Sequence, residues 1–191
     1  MPSRVVFLDR DGTIIEDKVF LGNPDGIVFF PGAFEAIKIL KKLGYKIVVI
    51  SNQSGIGRGI LTEKMVNEVN ECFLRSLKEK EAPVDALYFC PHHPDDNCDC
   101  RKPKTGMIKK AATELKLDLK DAVVIGDHLC DIELGKNIGA KTVLVLTGHG
   151  KKELDESENA GIKPDFVAKD LLEAANWIKN SCSRWIVHLD P

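Results

Sequence analysis

Short apolar runs alternate with segments of helical periodicity over most of this chain. Residues 5–8, 46–50, 86–89, 122–125 and 142–146 are each a brief apolar run bounded by polar residues or glycine, the pattern of buried strands. Between them, 33–43 places Phe34, Ile37, Leu40 and Leu43 at helical spacing and stops at Gly44. A second helix, 62 to about 80, opens on Thr62 as its cap and sets Met65, Val66, Val69, Phe73 and Leu77 along one face. Segments 107–117 and 132–138 continue the alternation. The rhythm predicts an α/β fold, a Rossmann-like parallel sheet with helices on both faces and right-handed crossovers. Sheets of this kind bind ligands beyond the carboxyl ends of their strands.

That rule singles out three polar clusters. Asp9-Arg10-Asp11-Gly12-Thr13 follows the first strand, Ser51-Asn52 ends the second, and Gly126-Asp127 ends the fourth, with Asp131 one helical turn further on. Singly, each reads as turn or cap chemistry. At corresponding strand ends they converge on one site. Two carboxylates one residue apart, at the end of a buried strand and before a glycine turn, can act as nucleophile and proton donor on one substrate.

Composition narrows the class. The chain has 191 residues, 43% of them hydrophobic, which suits one compact domain, 1–180, with an 11-residue tail, 181–191. A net charge of -2 from 27 basic and 29 acidic residues offers no basic stripe for nucleic acid. No apolar stretch is long enough to cross a bilayer, and the first residues lack the pattern of a cleavable leader, so the expectation is a cytoplasmic protein. In a reducing compartment the six cysteines point to metal binding rather than disulfides. Three of them, Cys90, Cys98 and Cys100, fall in an inserted loop, 90–100, together with His92 and His93. Thiolates and one imidazole can close a tetrahedral zinc site, and spacing alone leaves His92 and His93 as rivals for the fourth position. Four protein ligands leave no place for a reactive water, so the role is structural. Arg101 and Lys102 follow the last thiol at once, which would hold both cations over the strand ends. Cys72, Cys130 and Cys182 read as packing or incidental thiols.

In order, Asp9-Arg10-Asp11-Gly12-Thr13, Ser51-Asn52-Gln53-Ser54-Gly55, Lys102, and Gly126-Asp127 with Asp131 resemble the four motifs of the haloacid dehalogenase (HAD) superfamily of phosphatases, over residues 5 to about 150. The resemblance implies a magnesium-dependent phosphomonoesterase. Asp9 would attack phosphorus, and Asp11 would protonate the leaving oxygen and then activate water. Mg²⁺ would take carboxylate oxygens from Asp9 and Asp127 and the backbone carbonyl of Asp11, with Asp131 positioned behind them. Ser51 would hold phosphate oxygens and Lys102 would balance charge. The family's Cys-x-His pattern favours His92 as the zinc ligand. Within the superfamily, the zinc loop, the Gly55-Ile56-Gly57-Arg58-Gly59 string and Arg101-Lys102-Pro103 are similar to the sugar-bisphosphate branch, with a heptose bisphosphate as expected substrate. Histidinol phosphate is the alternative, and a nucleic-acid 3′-phosphate a distant one. His128 departs from that branch, which commonly carries lysine or arginine there.

The motif spacing leaves no length for a cap domain, so an open cleft is expected, with selectivity from the loop at 14–30, from 54–58 and from the zinc loop, and with Asn52, Ser54, Arg58 and Arg101 as substrate contacts. The implied partner is a small phosphorylated sugar met by a monomer, with no membrane or nucleic acid. A catalytically inert, zinc-stabilised binding module is the competing class, but every motif residue of the enzyme is present.

Overall fold

The computed structural model describes residues 4–186. Six parallel strands form one sheet in the order β3-β2-β1-β4-β5-β6, comprising β1 (Val5–Leu8), β2 (Lys46–Asn52), β3 (Ala86–Cys90), β4 (Val123–Gly126), β5 (Lys141–Val145) and β6 (Phe166–Ala168). The helices are α1 (Ala33–Lys42), α2 (Glu63–Glu79), α3 (Gly106–Leu115), α4 (Leu129–Asn137), α5 (Gly150–Ala160) and α6 (Leu171–Ile186). The order reverses direction between β1 and β4, so their carboxyl ends diverge into the crevice where such sheets bind ligands.

The continuous apolar runs reflect burial on both faces. Val6, Leu8, Ile47, Val49, Ile125 and Val145 point into a core shared with α1, α2 and α6. Their neighbours Val5, Phe7, Val48, Ile50 and Val124 point the other way, against Ile108 and Ala111 of α3 and Leu134 of α4. Thr62 caps α2 as expected, its hydroxyl accepting the Met65 N–H at 3.2 Å. At the opposite edge of the sheet, Asp85 ties α1 to β2, accepting from the Ile47 N–H at 2.8 Å, Lys41 at 2.8 Å and Lys46 at 2.9 Å.

Three features depart from the periodic reading. β2 runs on to Asn52 because Ser51 and Asn52 pair with Phe89 and Cys90 of β3. The three-residue edge strand β6 and the polar helix α5 carry too little apolar periodicity to announce themselves. The last helix passes the expected boundary at 180 and continues to Ile186, so Trp185 and Ile186 are helical rather than part of a tail. Val187 and Leu189 lie outside the described residues. No cap domain is present among the described residues, and the segment from β1 to α1 is a loop with two isolated bridges and one short 3-10 turn.

Candidate active site

The edge of β1, β2 and β4 gathers the expected residues around a cavity of about 200 Å³. Asp9 continues β1, its N–H donating to Ile125 of β4 at 2.9 Å, which fixes its carboxylate at the floor. Asp127 is fully buried beside it, and Asp9, Asp127 and Asp131 bring carboxylate oxygens within 4.8 Å of one another. The backbone closes tightly over this group. Gly12 and Gly148 both have positive φ, and a Cβ on either would run into the Asp127 carboxylate. Thr147 braces the same contact by donating to the Gly12 carbonyl at 2.6 Å.

Lys102 is buried between the acids. Its ammonium donates to Asp9 Oδ1 at 2.5 Å and to the Ile50 carbonyl at 3.1 Å, and lies 2.7 Å from Asp131 Oδ1 in an ion pair without hydrogen-bond alignment. Burial opposes its charge, but Asp131 and Asp9 outweigh burial and hold its pKa above the ordinary lysine value. The acids are less well compensated. Burial, with the charges of Asp131 and Asp11 added, pushes Asp9 up to about 7 against the pull of Lys102. Burial and the charge of Asp9 push Asp127 up to about 9. One lysine does not neutralise three buried carboxylates. Hard oxygen donors with surplus negative charge fit a divalent cation such as Mg²⁺.

Asp11 stands at the cleft wall, held from both sides. Arg10, itself buried, donates to both of its oxygens at 3.0 Å and to Asn70 of α2 at 2.5 Å. Gln53 Nε2 donates to Asp11 Oδ2 at 2.8 Å and to Ser51 Oγ at 2.7 Å, and Ser51 Oγ lies 3.3 Å from the same Asp11 oxygen. Asn52 lines the cleft, yet its amide also grips the backbone of Lys102, accepting from its N–H at 3.0 Å and donating to its carbonyl at 3.3 Å. Ser54 and Arg101 line the cleft, and Arg101 Nη1 is buried with no hydrogen-bond partner. Such a donor is ready for an anion. Arg58, on the turn closed by its N–H to the Ser54 carbonyl at 3.0 Å, is exposed and stands outside the lining of this cavity.

Cys90, His92, Cys98 and Cys100 come together beside this edge. Their sulfurs lie 3.1–3.6 Å apart, with His92 Nδ1 at 3.5 Å from Cys90 and 3.2 Å from Cys100. Ligands about 2.3 Å from a tetrahedral ion would lie about 3.8 Å apart, so the set needs only slight expansion to hold one. His93 is engaged elsewhere, accepting the Asp95 N–H at 3.2 Å to cap a 3-10 turn. The loop leans on the cleft through Gln53 N–H to the Cys90 carbonyl and Gly57 N–H to the Pro91 carbonyl, both at 2.8 Å.

The motif reading did not single out Arg10 or Gln53 as partners of Asp11, and it named the loop at 14–30 without distinguishing Asp17, Val19, Phe20 and Leu21, which form the cleft wall from that loop. Their lengths of chain carry no distinctive spacing. Cys130, expected to be incidental, also lines the cleft.

With this geometry in view, the HAD-hydrolase-like family profile matches residues 99–174. The D-glycero-beta-D-manno-heptose-1,7-bisphosphate 7-phosphatase of Haemophilus influenzae is 36% identical, over 93% of this chain and 97% of its own. Its namesake from Photorhabdus laumondii is 43% identical, over 91% and 96% respectively. A crystal structure of D,D-heptose 1,7-bisphosphate phosphatase from B. bronchiseptica, complexed with magnesium and phosphate, superposes with a TM-score of 0.85 at 33% identity, covering 94% of this chain and 99% of that one.

Proposed function

The chain belongs to the HAD-type heptose-1,7-bisphosphate 7-phosphatase family, and on that premise we propose that it hydrolyses the 7-phosphate of D-glycero-D-manno-heptose 1,7-bisphosphate. The observation that carries the reading is the pairing of Asp9 with Lys102 on the cleft floor, facing Asp11 on its wall. Asp9 attacks phosphorus and carries the phosphoryl group as an aspartyl-phosphate. Asp11 protonates the departing sugar oxygen, then takes a proton from the water that releases phosphate. Arg10 and Gln53 hold Asp11 ready for both steps.

Charge is the main obstacle when a carboxylate meets a phosphate dianion. Ser51, Lys102 and the unpartnered guanidinium nitrogen of Arg101 supply donors for the phosphoryl oxygens. Asp9, Asp127 and the Asp11 carbonyl would hold Mg²⁺, with Asp131 orienting Lys102 behind them. When bound, that ion supplies Lewis-acid neutralisation of the transferred group. Cys90, His92, Cys98 and Cys100 would hold a structural Zn²⁺ that fixes the segment leading to Arg101 and Lys102.

The substrate is tested by comparing kcat/KM for the two anomers of heptose 1,7-bisphosphate with that for histidinol phosphate. A heptose anomer should lead by about 10²-fold or more. A lead for histidinol phosphate would overturn the substrate while leaving the phosphatase chemistry in place.

A further inference from the structure

We propose that Asp17, His128 and His149 form a transition-metal site at the mouth of the cleft, distinct from the thiolate cluster and adjoining the carboxylate cluster, where His128 Nε2 lies 3.9 Å from Asp127 Oδ2 and the His149 N–H donates to that oxygen at 2.8 Å. The three come from different elements: the loop after β1, the end of β4, and the segment between β5 and α5. One ligand atom from each falls within 4.8 Å of the others.

The donor geometry suits a borderline cation. His149 Nε2 is 3.0 Å from Asp17 Oδ2, and two ligands about 2.1 Å from a tetrahedral ion lie about 3.4 Å apart, so this pair needs only slight expansion to hold one. The His128 and His149 rings face each other with centroids 4.7 Å apart. A carboxylate stands behind one ligand: Glu153 Oε1 is 3.3 Å from His128 Nδ1, while its other oxygen accepts the Leu129 N–H at 2.7 Å. Backing of this kind is what orients a ligating imidazole, and it turns the His128 Nε2 toward the cleft, 3.9 Å from Asp127 Oδ2. Asp17 is set in the same way, one oxygen accepting the Val19 N–H at 2.6 Å and the other turned to His149.

Two imidazole nitrogens and one carboxylate as ligands prefer Zn²⁺, Co²⁺ or Ni²⁺ to Mg²⁺. The side chains are open enough to admit an ion, being 39%, 46% and 23% exposed for His128, His149 and Asp17. Asp17 and His128 both line the cleft, so a bound ion would tie the substrate loop to the sheet edge and narrow the entrance.

The test uses the full chain with its thiolate cluster loaded with zinc, in saturating Mg²⁺ at neutral pH, dialysed against Zn²⁺ and analysed for metal. The wild type should take one equivalent of Zn²⁺ beyond the thiolate site. His149→Gln and Asp17→Asn, on different elements, should each weaken that equivalent about tenfold or more. Co²⁺ titrated in its place should give visible bands without thiolate charge transfer. The proposal is overturned if no second equivalent binds, if both variants hold it as tightly as wild type, or if the cobalt spectrum is that of a thiolate site.

Discussion

Two of the places where the described residues gather metal-binding side chains, the cleft floor and the thiolate loop, differ in what surrounds them. Asp9, Asp127 and Asp131 are buried on the floor of a cleft, around one lysine that cannot balance them. Cys90, His92, Cys98 and Cys100 bring four donor atoms together from a single loop, the number a tetrahedral ion takes. An under-neutralised group that faces a cavity stores affinity for a cation and an anion together. A closed set of four has nothing left to offer a substrate and contributes to folding instead. The contrast teaches that one cluster is expected to govern chemistry and the other architecture, and each can be broken separately.

The largest expected effect is on chemistry. Asp9→Asn should lower turnover by about 10⁴-fold or more while its metal-free melting temperature does not fall, since the change removes an excess buried charge. Steady-state kinetics and thermal melts check both halves. Cys100→Ser should do the reverse in emphasis, losing zinc by metal analysis and about 3 kcal/mol or more of stability. For a chain of this length that is roughly 6–12 °C in Tm. Turnover should fall with zinc content, because Lys102 lies just beyond Cys100 in the chain.

A subtler effect separates the carboxylates by sign. Folding raises Asp9 and Asp127 from 3.8 to about 7 and about 9, so the folded metal-free protein retains protons that the unfolded chain has released. Their contribution to stability therefore declines as pH rises from about 4 through 7 and 9. Mg²⁺, which competes with those protons, should restore the loss most strongly at the alkaline end. Asp85 behaves oppositely. Burial raises its pKa, but the hydrogen bonds from Lys41, Ile47 and Lys46 together outweigh burial and hold it below the ordinary value. Its contribution is present above about pH 4 and lost as pH falls through the folded pKa. Asp85→Asn should cost about 1–3 kcal/mol, without change in the Mg²⁺ requirement, as read by denaturant melts over a pH series.

Much of this contrast was legible in the sequence, for physical reasons. Strands buried on both faces must be continuously apolar, so β1 to β5 stood out, and the carboxyl-end rule then placed Asp9, Ser51 and Asp127 on one edge. Thiols and imidazoles crowded into one loop are equally conspicuous. The short strand β6 and polar α5 were not visible, because neither has enough apolar positions to define a period. Spacing allows both His92 and His93, the resemblance to the family's Cys-x-His pattern favours His92, and the fold adds that the His93 side chain caps a turn instead. Likewise Gln53, a turn residue in the string, reaches Asp11 because β2 extends past Ile50, and the turn that swings Ser54 into the cleft leaves Arg58 outside.

Phosphoryl transfer to Asp9 is the central claim, and it can be caught directly in Asp11→Asn. An aryl phosphate with a good leaving group needs little help from an acid, so the first step should survive while water activation fails. After reaction in Mg²⁺ and an acid quench, mass spectrometry of the digested protein should find the acyl-phosphate on Asp9. Turnover in this variant with no label, or label on any residue other than Asp9, would contradict the account.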